Sequence, residues 1–291
     1  MVDFTLTDEQ KDLREMAHSF AEKEMRKVAW EYDKDGTWPQ EIIEKAWEVG
    51  LMNTHTPEKY GGPGLDYLSG ALIEEELGWG CSGIGTSLAA NGLASAPVAL
   101  GGSEEIKKEF LGMLTEAPKL ASFCLTEPDA GSDVSGMKTT AVKKGDKWVI
   151  NGSKCFITNG QYADWYTVYA KTDKDAGHRG ISAFVVPRDD TVMIDKKEDK
   201  LGQRASNTAT VTFNETEIPA ANLLAEENKG FKLAMMTLDR TRPGVAAMAV
   251  GIARAALEFA AEYSKERQQF GVPIAMHQAV AFMIADMATK V

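Results

Sequence analysis

The sequence predicts a multi-domain α+β chain. An N-terminal all-α domain is expected over 1–118, a middle antiparallel β-domain over 119–222, and an incomplete C-terminal helical domain over 223–291. Three observations carry this. Apolar residues recur at helical spacing up to about residue 115. From Lys119 the period changes to short alternating runs separated by Gly, Asp and Asn. After Pro219 the helical period returns in a long stretch rich in Ala and Met.

Taken in order, Thr7 and Gln10 form a capping-box pattern, followed by Leu13, Met16, Ala17, Phe20, Ala21 and Met25 at helical spacing. Trp38-Pro39 opens a second helix and Gly50 is placed to close it. The breaker-rich loop Glu58 to Gly64 precedes helices at Leu68 to Leu77 and Gly83 to Leu100. Ser103 caps a further helix carrying Ile106, Phe110, Leu111 and Leu114. In the middle domain, Thr139 to Lys143 and Lys147 to Ile150 flank Lys144-Gly145-Asp146, a hairpin signal. Strands are also expected at Cys155 to Thr158, Ala163 to Lys171, Gly180 to Arg188 and Ala209 to Phe213. A long helix runs from Gly230 to Arg267 with Pro243 inside it, where the Asp239 carbonyl loses its helical donor and a kink is expected. A last helix begins near Ala275 or Met276. No Gly, Pro or polar tail closes it, and two helices are too few for a bundle, so the chain is expected to end inside a domain.

Composition narrows the function classes. With 44% hydrophobic and 26% charged residues over 291 positions, the chain is of ordinary globular type with a sizeable core. A net charge of −11 argues against nucleic acid or an anionic membrane as partner. An anionic ligand held by a few local cations and backbone donors stays open. The three cysteines, Cys81, Cys124 and Cys155, are scattered without a CxxC, which suits a reducing compartment and buried packing roles. The four histidines show no metal-ligand spacing, and no metal is expected. No apolar run reaches the roughly 18 residues of a membrane span, so no membrane insertion is expected. The N-terminal MVDFTLTDEQKD is polar and acidic, unlike a signal or transit peptide. The expected location is the cytoplasm, or the mitochondrial matrix if a targeting segment has been removed.

Two stretches point to chemistry. The apolar run Leu120 to Leu125 stops at Thr126-Glu127-Pro128-Asp129-Ala130-Gly131-Ser132-Asp133, a strand entering a loop of small and hydroxyl residues. Gly131 permits close backbone approach, and such a loop offers N–H groups and hydroxyls to a planar or anionic group. Cys155 to Thr158 also ends on a hydroxyl, before Asn159-Gly160. Two strand ends closing on Thr or Ser could wall one pocket; a plain tight turn is the structural alternative.

The paired strings FCLTEPDAGSDVSG (123–136) and KCFITNG (154–160) closely resemble the flavin-binding signature of the acyl-CoA dehydrogenases, the medium-chain branch in particular. The resemblance runs from about Phe4 to Val291. It implies a helical, then β-barrel-like, then helical fold, and a C-terminally shortened chain. It implies FAD-dependent oxidation of the Cα–Cβ bond of a short- or medium-chain acyl-CoA to the trans-2-enoyl-CoA. In that reaction a carboxylate takes the α-proton and the β-hydrogen leaves as hydride to the flavin.

By similarity, Phe123, Cys124, Leu125, Thr126, Glu127 and Ser132 form one flavin wall, and Phe156, Ile157 and Thr158 the other. Many members carry Trp where Phe156 stands. Arg267, Gln269, Phe270, His277 and Gln278 match contacts to FAD, typically in a neighbouring subunit, which implies a homodimer at least and commonly a dimer of dimers. Ser132, Asp239 and Arg242 match acyl-CoA contacts; the plain alternative for the last two is a surface i,i+3 ion pair. An electron-transfer flavoprotein is the implied acceptor. The family's usual base lies beyond Val291, and the minority position corresponds to Thr241, which is not a carboxylate. Glu127 and Asp239 are weak substitutes, so the base is left unassigned. Two other readings stand beside the dehydrogenase: a non-catalytic flavin- or acyl-CoA-binding piece that needs a partner chain, and an acyl-CoA oxidase.

Overall fold

The computed structural model describes residues 4–291. Helix α1 (Asp8–Phe20) opens on the expected reciprocal cap, with Gln10 N–H donating to Thr7 Oγ1 at 3.2 Å and Thr7 N–H to Gln10 Oε1 at 3.1 Å. A π-helical turn (Ala21–Met25) and a short helix α2 (Ala29–Asp35) follow, neither foreseen in the sequence. Helix α3 (Gln40–Glu48) lies between Pro39 and a left-handed Gly50. Helix α4 (Tyr67–Gly101) starts on the Asp66 carboxylate, which accepts the Ser69 N–H at 2.7 Å. Its torsions break at Cys81 (φ −165°, ψ 113°), so the two helices expected here are two arms about one kink. Helix α5 (Glu104–Glu116) is capped by Ser103 and buries Ile106, Phe110, Leu111 and Leu114 as the periodicity required.

Eight strands make the middle sheet: β1 (Ala121–Cys124), β2 (Thr140–Lys144), β3 (Lys147–Thr158), β4 (Trp165–Lys171), β5 (Ile181–Pro187), β6 (Val192–Lys197), β7 (Thr208–Pro219) and β8 (Leu223–Leu224). The order is β6-β7-β3-β2-β4-β5-β8, with β1 added to β4. This path is open, so the barrel-like sheet is not a closed barrel. Most pairings are antiparallel, but β1 and β2 both run parallel to β4. β1 enters straight from the helical region, without a hairpin to reverse it. The β2–β3 hairpin turns at Gly145-Asp146 as expected. Strands read separately at 147–150 and 155–158 are one strand, β3, because Asn151-Gly152-Ser153 is a bulge rather than a turn. The β3–β7 register shifts there, and a Cβ on Gly152 would stand 2.4 Å from Thr139 Oγ1.

Helix α6 (Gly230–Glu266) returns across α4 and contains Pro243. The two backbones touch. A Cβ on Gly251 would stand 1.9 Å from the Glu75 carbonyl oxygen, and one on Gly78 2.3 Å from that of Met248. Arg254 of α6 reaches over this contact to Glu75 (2.8 Å) and Glu76 (3.0 Å) of α4, while Trp79 Nε1–H donates to Glu258 at 2.6 Å. An 18-residue window of α6 has a mean hydropathy of 1.5, so by length and composition the helix could cross a membrane. No unbroken apolar run of that length is present, as expected: Arg254 and Glu258 interrupt the stretch, and both are paired to α4, so the helix is no clear membrane span.

A two-stranded hairpin, β9 (Gln268–Gln269) with β10 (Val272–Pro273), separates α6 from α7 (Gln278–Lys290). The last helix therefore begins two to three residues later than expected, after a 3₁₀ turn at Ile274–Met276. Ala279, Phe282 and Met283 are exposed on α7 and Met287 is half-buried, while Phe259 is exposed on α6. Exposed apolar surface of this extent favours association. The purified chain is expected to bind ANS and to associate with rising concentration in analytical ultracentrifugation; a monodisperse, ANS-silent monomer would refute this.

Candidate active site

The site is built where β1 and β3 end. Lys154 on β3 has no exposed surface. Its ammonium donates to Glu127 Oε1 at 2.7 Å and to the Leu125 carbonyl at 3.0 Å. Glu127 also accepts the N–H groups of Lys138 (2.6 Å) and Thr139 (3.0 Å), and Cys155 N–H donates to the Thr126 carbonyl at 3.0 Å. Burial works to raise the Glu127 carboxyl, but the Lys154 charge and these hydrogen bonds prevail and hold it below the ordinary value. The loop after β1 and the end of β3 are thus locked together by one buried ion pair.

Just beyond Lys154 the β3–β7 register shifts again, and Phe156 takes a left-handed conformation (φ 59°) with its ring 65% exposed. A bulky residue there is strained, and such bulges re-aim side chains. The second arm of α4 is stitched to the same strand ends. Asn159 Nδ2 donates to the Ser87 carbonyl at 2.8 Å, Asn91 Oδ1 accepts the Ala121 N–H at 2.8 Å, and Thr167 Oγ1 donates to the Ala94 carbonyl at 2.8 Å.

Between the strand ends, α4 and α6 lies a cavity of about 640 Å³. Phe123, Leu125, Thr126, Ser132, Phe156, Ile157 and Thr158 line one side of it, and Arg242 lies on the α6 side. Among the described residues, the hydroxyls of Thr126, Ser132 and Thr158 have no protein hydrogen-bond partner. A Cβ on Gly131 would meet nothing within 4 Å, so protein packing does not require glycine there. Ala89, Ala90, Leu93 and Met248 make the opposite walls apolar.

Other residues expected at the site lie elsewhere. Cys124 is fully buried in the sheet core, where desolvation pushes its thiol up. Glu127 is consumed by Lys154 and backbone donors, so its carboxylate is structural and does not line the cavity. Asp239 stands outside the lining, exposed and paired with Arg242 at 2.9 Å, the surface i,i+3 pair foreseen as the plain alternative. Gln269 and Phe270 sit on the β9–β10 hairpin, with Arg267 just before it and His277 and Gln278 just after. His277 Nε2 lies 3.3 Å from the Gln269 carbonyl, and Phe270 is 93% exposed. None of these five lines the cavity.

Glu74 of α4 was missed in the sequence. It lines the cavity, and burial pushes its carboxyl up to about 7. A Glu-Glu-Glu run reads as a solvated face. The available signal was position, since Ala71, Glu74 and Gly78 share one face of the helix with the residues that meet α6.

Three family profiles match the chain in succession: acyl-CoA dehydrogenase N-terminal domain over 7–117, middle domain over 122–216 and C-terminal domain over 228–291. The chain belongs to the acyl-CoA dehydrogenase family. It is 45% identical to a probable medium-chain specific acyl-CoA dehydrogenase 2, mitochondrial, of Caenorhabditis briggsae, over 98% of this chain and 71% of that protein. The solved butyryl-CoA dehydrogenase of Megasphaera elsdenii superposes with a TM-score of 0.96 at 45% identity, over 99% of this chain and 77% of the other. A chain from the structural study of the electron transferring flavoprotein of Acidaminococcus fermentans also gives 0.96, at 48% identity and the same coverage. The family comprises FAD-dependent oxidoreductases acting on CH–CH groups, flavoproteins of fatty-acid β-oxidation with which a tetramer is consistent.

Two stability predictions follow from the site's charges. Glu127→Gln strands the buried Lys154 ammonium and should cost about 3–5 kcal/mol by urea titration, with part recovered in the double variant carrying Lys154→Met. Glu74 has a folded value raised above its unfolded one, so its favourable contribution is fully present below about pH 4.5 and is lost as pH rises through about 7. Glu74→Gln should therefore match the parent in unfolding free energy near pH 4.5 and exceed it near pH 8, by up to about 3 kcal/mol at about 1.4 kcal/mol per pH unit, measured by urea titration. A pH-independent difference would refute the assignment.

Proposed function

We propose that the chain binds FAD and a short- or medium-chain acyl-CoA in this cavity and serves the oxidation of the acyl Cα–Cβ bond to the trans-2-enoyl-CoA. The carrying observation is the wall where three unpaired hydroxyls and the re-aimed Phe156 ring face apolar helices. That wall suits a planar, acceptor-rich ring better than an aliphatic ligand. The units at 1–118, 119–222 and 223–291 each contribute a side of the cleft.

When bound, FAD would supply the hydride acceptor. Thr126 and Thr158 hydroxyls would hydrogen-bond the polar edge of its ring, and Phe156 would offer a stacking face without the N–H donor that a Trp would add. Ser132 and Arg242 would hold the CoA portion, with Asp239 orienting the Arg242 guanidinium. The apolar walls would exclude water from the acyl chain and strengthen these polar contacts. The α-proton is assigned to no residue here: Glu127 is consumed, Asp239 is off the cavity, and the Thr241 hydroxyl donates to the Thr237 carbonyl at 3.2 Å.

Arg267, Gln269, Phe270, His277 and Gln278 would complete the flavin site of a neighbouring subunit, which accounts for their distance from this cavity and requires a homo-oligomer. An electron-transfer flavoprotein would take the electrons, in the cytoplasm or mitochondrial matrix. The same exposed hairpin favours a second reading, in which this chain is a binding module that turns over nothing without another chain.

A visible absorption spectrum before and after anaerobic addition of hexanoyl-CoA separates the two. A flavin band that bleaches supports the dehydrogenase. A band that persists supports the binding module. Absence of flavin from a chain purified with excess FAD overturns both.

A further inference from the structure

Three consecutive carboxylates, Glu74, Glu75 and Glu76, sit on α4, and Arg254 of α6 takes the second and third. Glu74 has neither a hydrogen bond nor an ion pair among the described residues. Its carboxyl is pressed against α6, where a Cβ on residue 244 would stand 2.1 Å from Oε2. A side chain at 244 would have to push this carboxyl end aside; glycine leaves it where it stands. Arg240 and Arg242 line the same cavity, but Arg242 is held by Asp239. Cavity, missing partner and the room left by Gly244 together describe a polar group facing whatever the cavity receives.

We propose that Glu74 determines specificity at the acyl part of the cavity, favouring acyl-CoA chains that carry a neutral hydroxyl group beyond the β-carbon. The inference rests on the acyl-CoA reading above. A plain alkyl chain would cover the carboxyl and leave it desolvated without a partner. A hydroxyl both donates and accepts, so it pairs with the ionised and the protonated carboxyl alike. A terminal carboxylate on the chain would be repelled by the ionised form.

The test is calorimetric titration of the purified chain with hexanoyl-CoA, with hexanoyl-CoA thioesters hydroxylated singly at each carbon beyond the β-carbon, and with adipoyl-CoA. Glu74→Leu and Glu74→Gln are titrated alongside. At least one hydroxylated thioester should bind about tenfold more tightly than hexanoyl-CoA, the scale of one net hydrogen bond, with adipoyl-CoA weakest. Glu74→Leu should reverse the preference toward hexanoyl-CoA, and Glu74→Gln, whose amide also donates and accepts, should keep it. Hexanoyl-CoA binding as tightly as every hydroxylated thioester in the parent chain overturns this proposal alone, whether or not the variants fold. So does a preference that survives Glu74→Leu. Failure of all the thioesters to bind overturns the acyl-CoA reading as well.

Discussion

The cleft depends on one buried ion pair. Lys154 sits in β3 without any solvent contact, and Glu127 lies in the loop that follows β1. Removing two charges from water is costly, and hydrogen bonds around the pair offset that cost: both Glu127 oxygens accept, and Lys154 also reaches the Leu125 carbonyl. This fixes the spacing between two strand ends that are not sequence neighbours. The Thr126 and Ser132 hydroxyls on one side and Phe156 and Thr158 on the other then face the same space. A purely apolar contact between loop and strand would hold them together without setting that register.

A second level of constraint comes from the helices. Asn91 and Asn159 use side-chain amides where a β-ladder would use backbone, joining α4 to the sheet across its edge. The α4 kink at Cys81 divides the labour. The second arm faces the strand ends, while the first carries Glu74 and the glycine contact with α6. Cavity-lining residues from three parts of the chain therefore converge without a loop having to reach far.

Much of this was legible in the sequence. The Thr7–Gln10 capping box and Ser103 announced helix starts, and the Gly145-Asp146 turn announced its hairpin, because these are local events. The wall residues Thr126, Ser132 and Thr158 were legible because a strand that stops on hydroxyls is a local pattern too. What was lost is non-local. Glu127 read as a loop carboxylate near the chemistry, since its partner Lys154 is far along the chain. Glu74 gave no sign of a role, because the arginine that pairs with its two neighbours lies on another helix. The stretch around Gly152 was left between two separate strands, since only its approach to Thr139 and the pairing with β7 show that the strand continues.

At Gly78 and Gly251 the contact between α4 and α6 is backbone against backbone. Side chains act as compressible bearings on which packed helices slide by fractions of an ångström. At these two points no side chain intervenes, and Arg254 and Trp79 tie the helices together beside them, so the two walls resist parting or closing. Divergence in what the cleft accepts must then proceed by exchanging the residues that project into it, one at a time, over a frame of constant width.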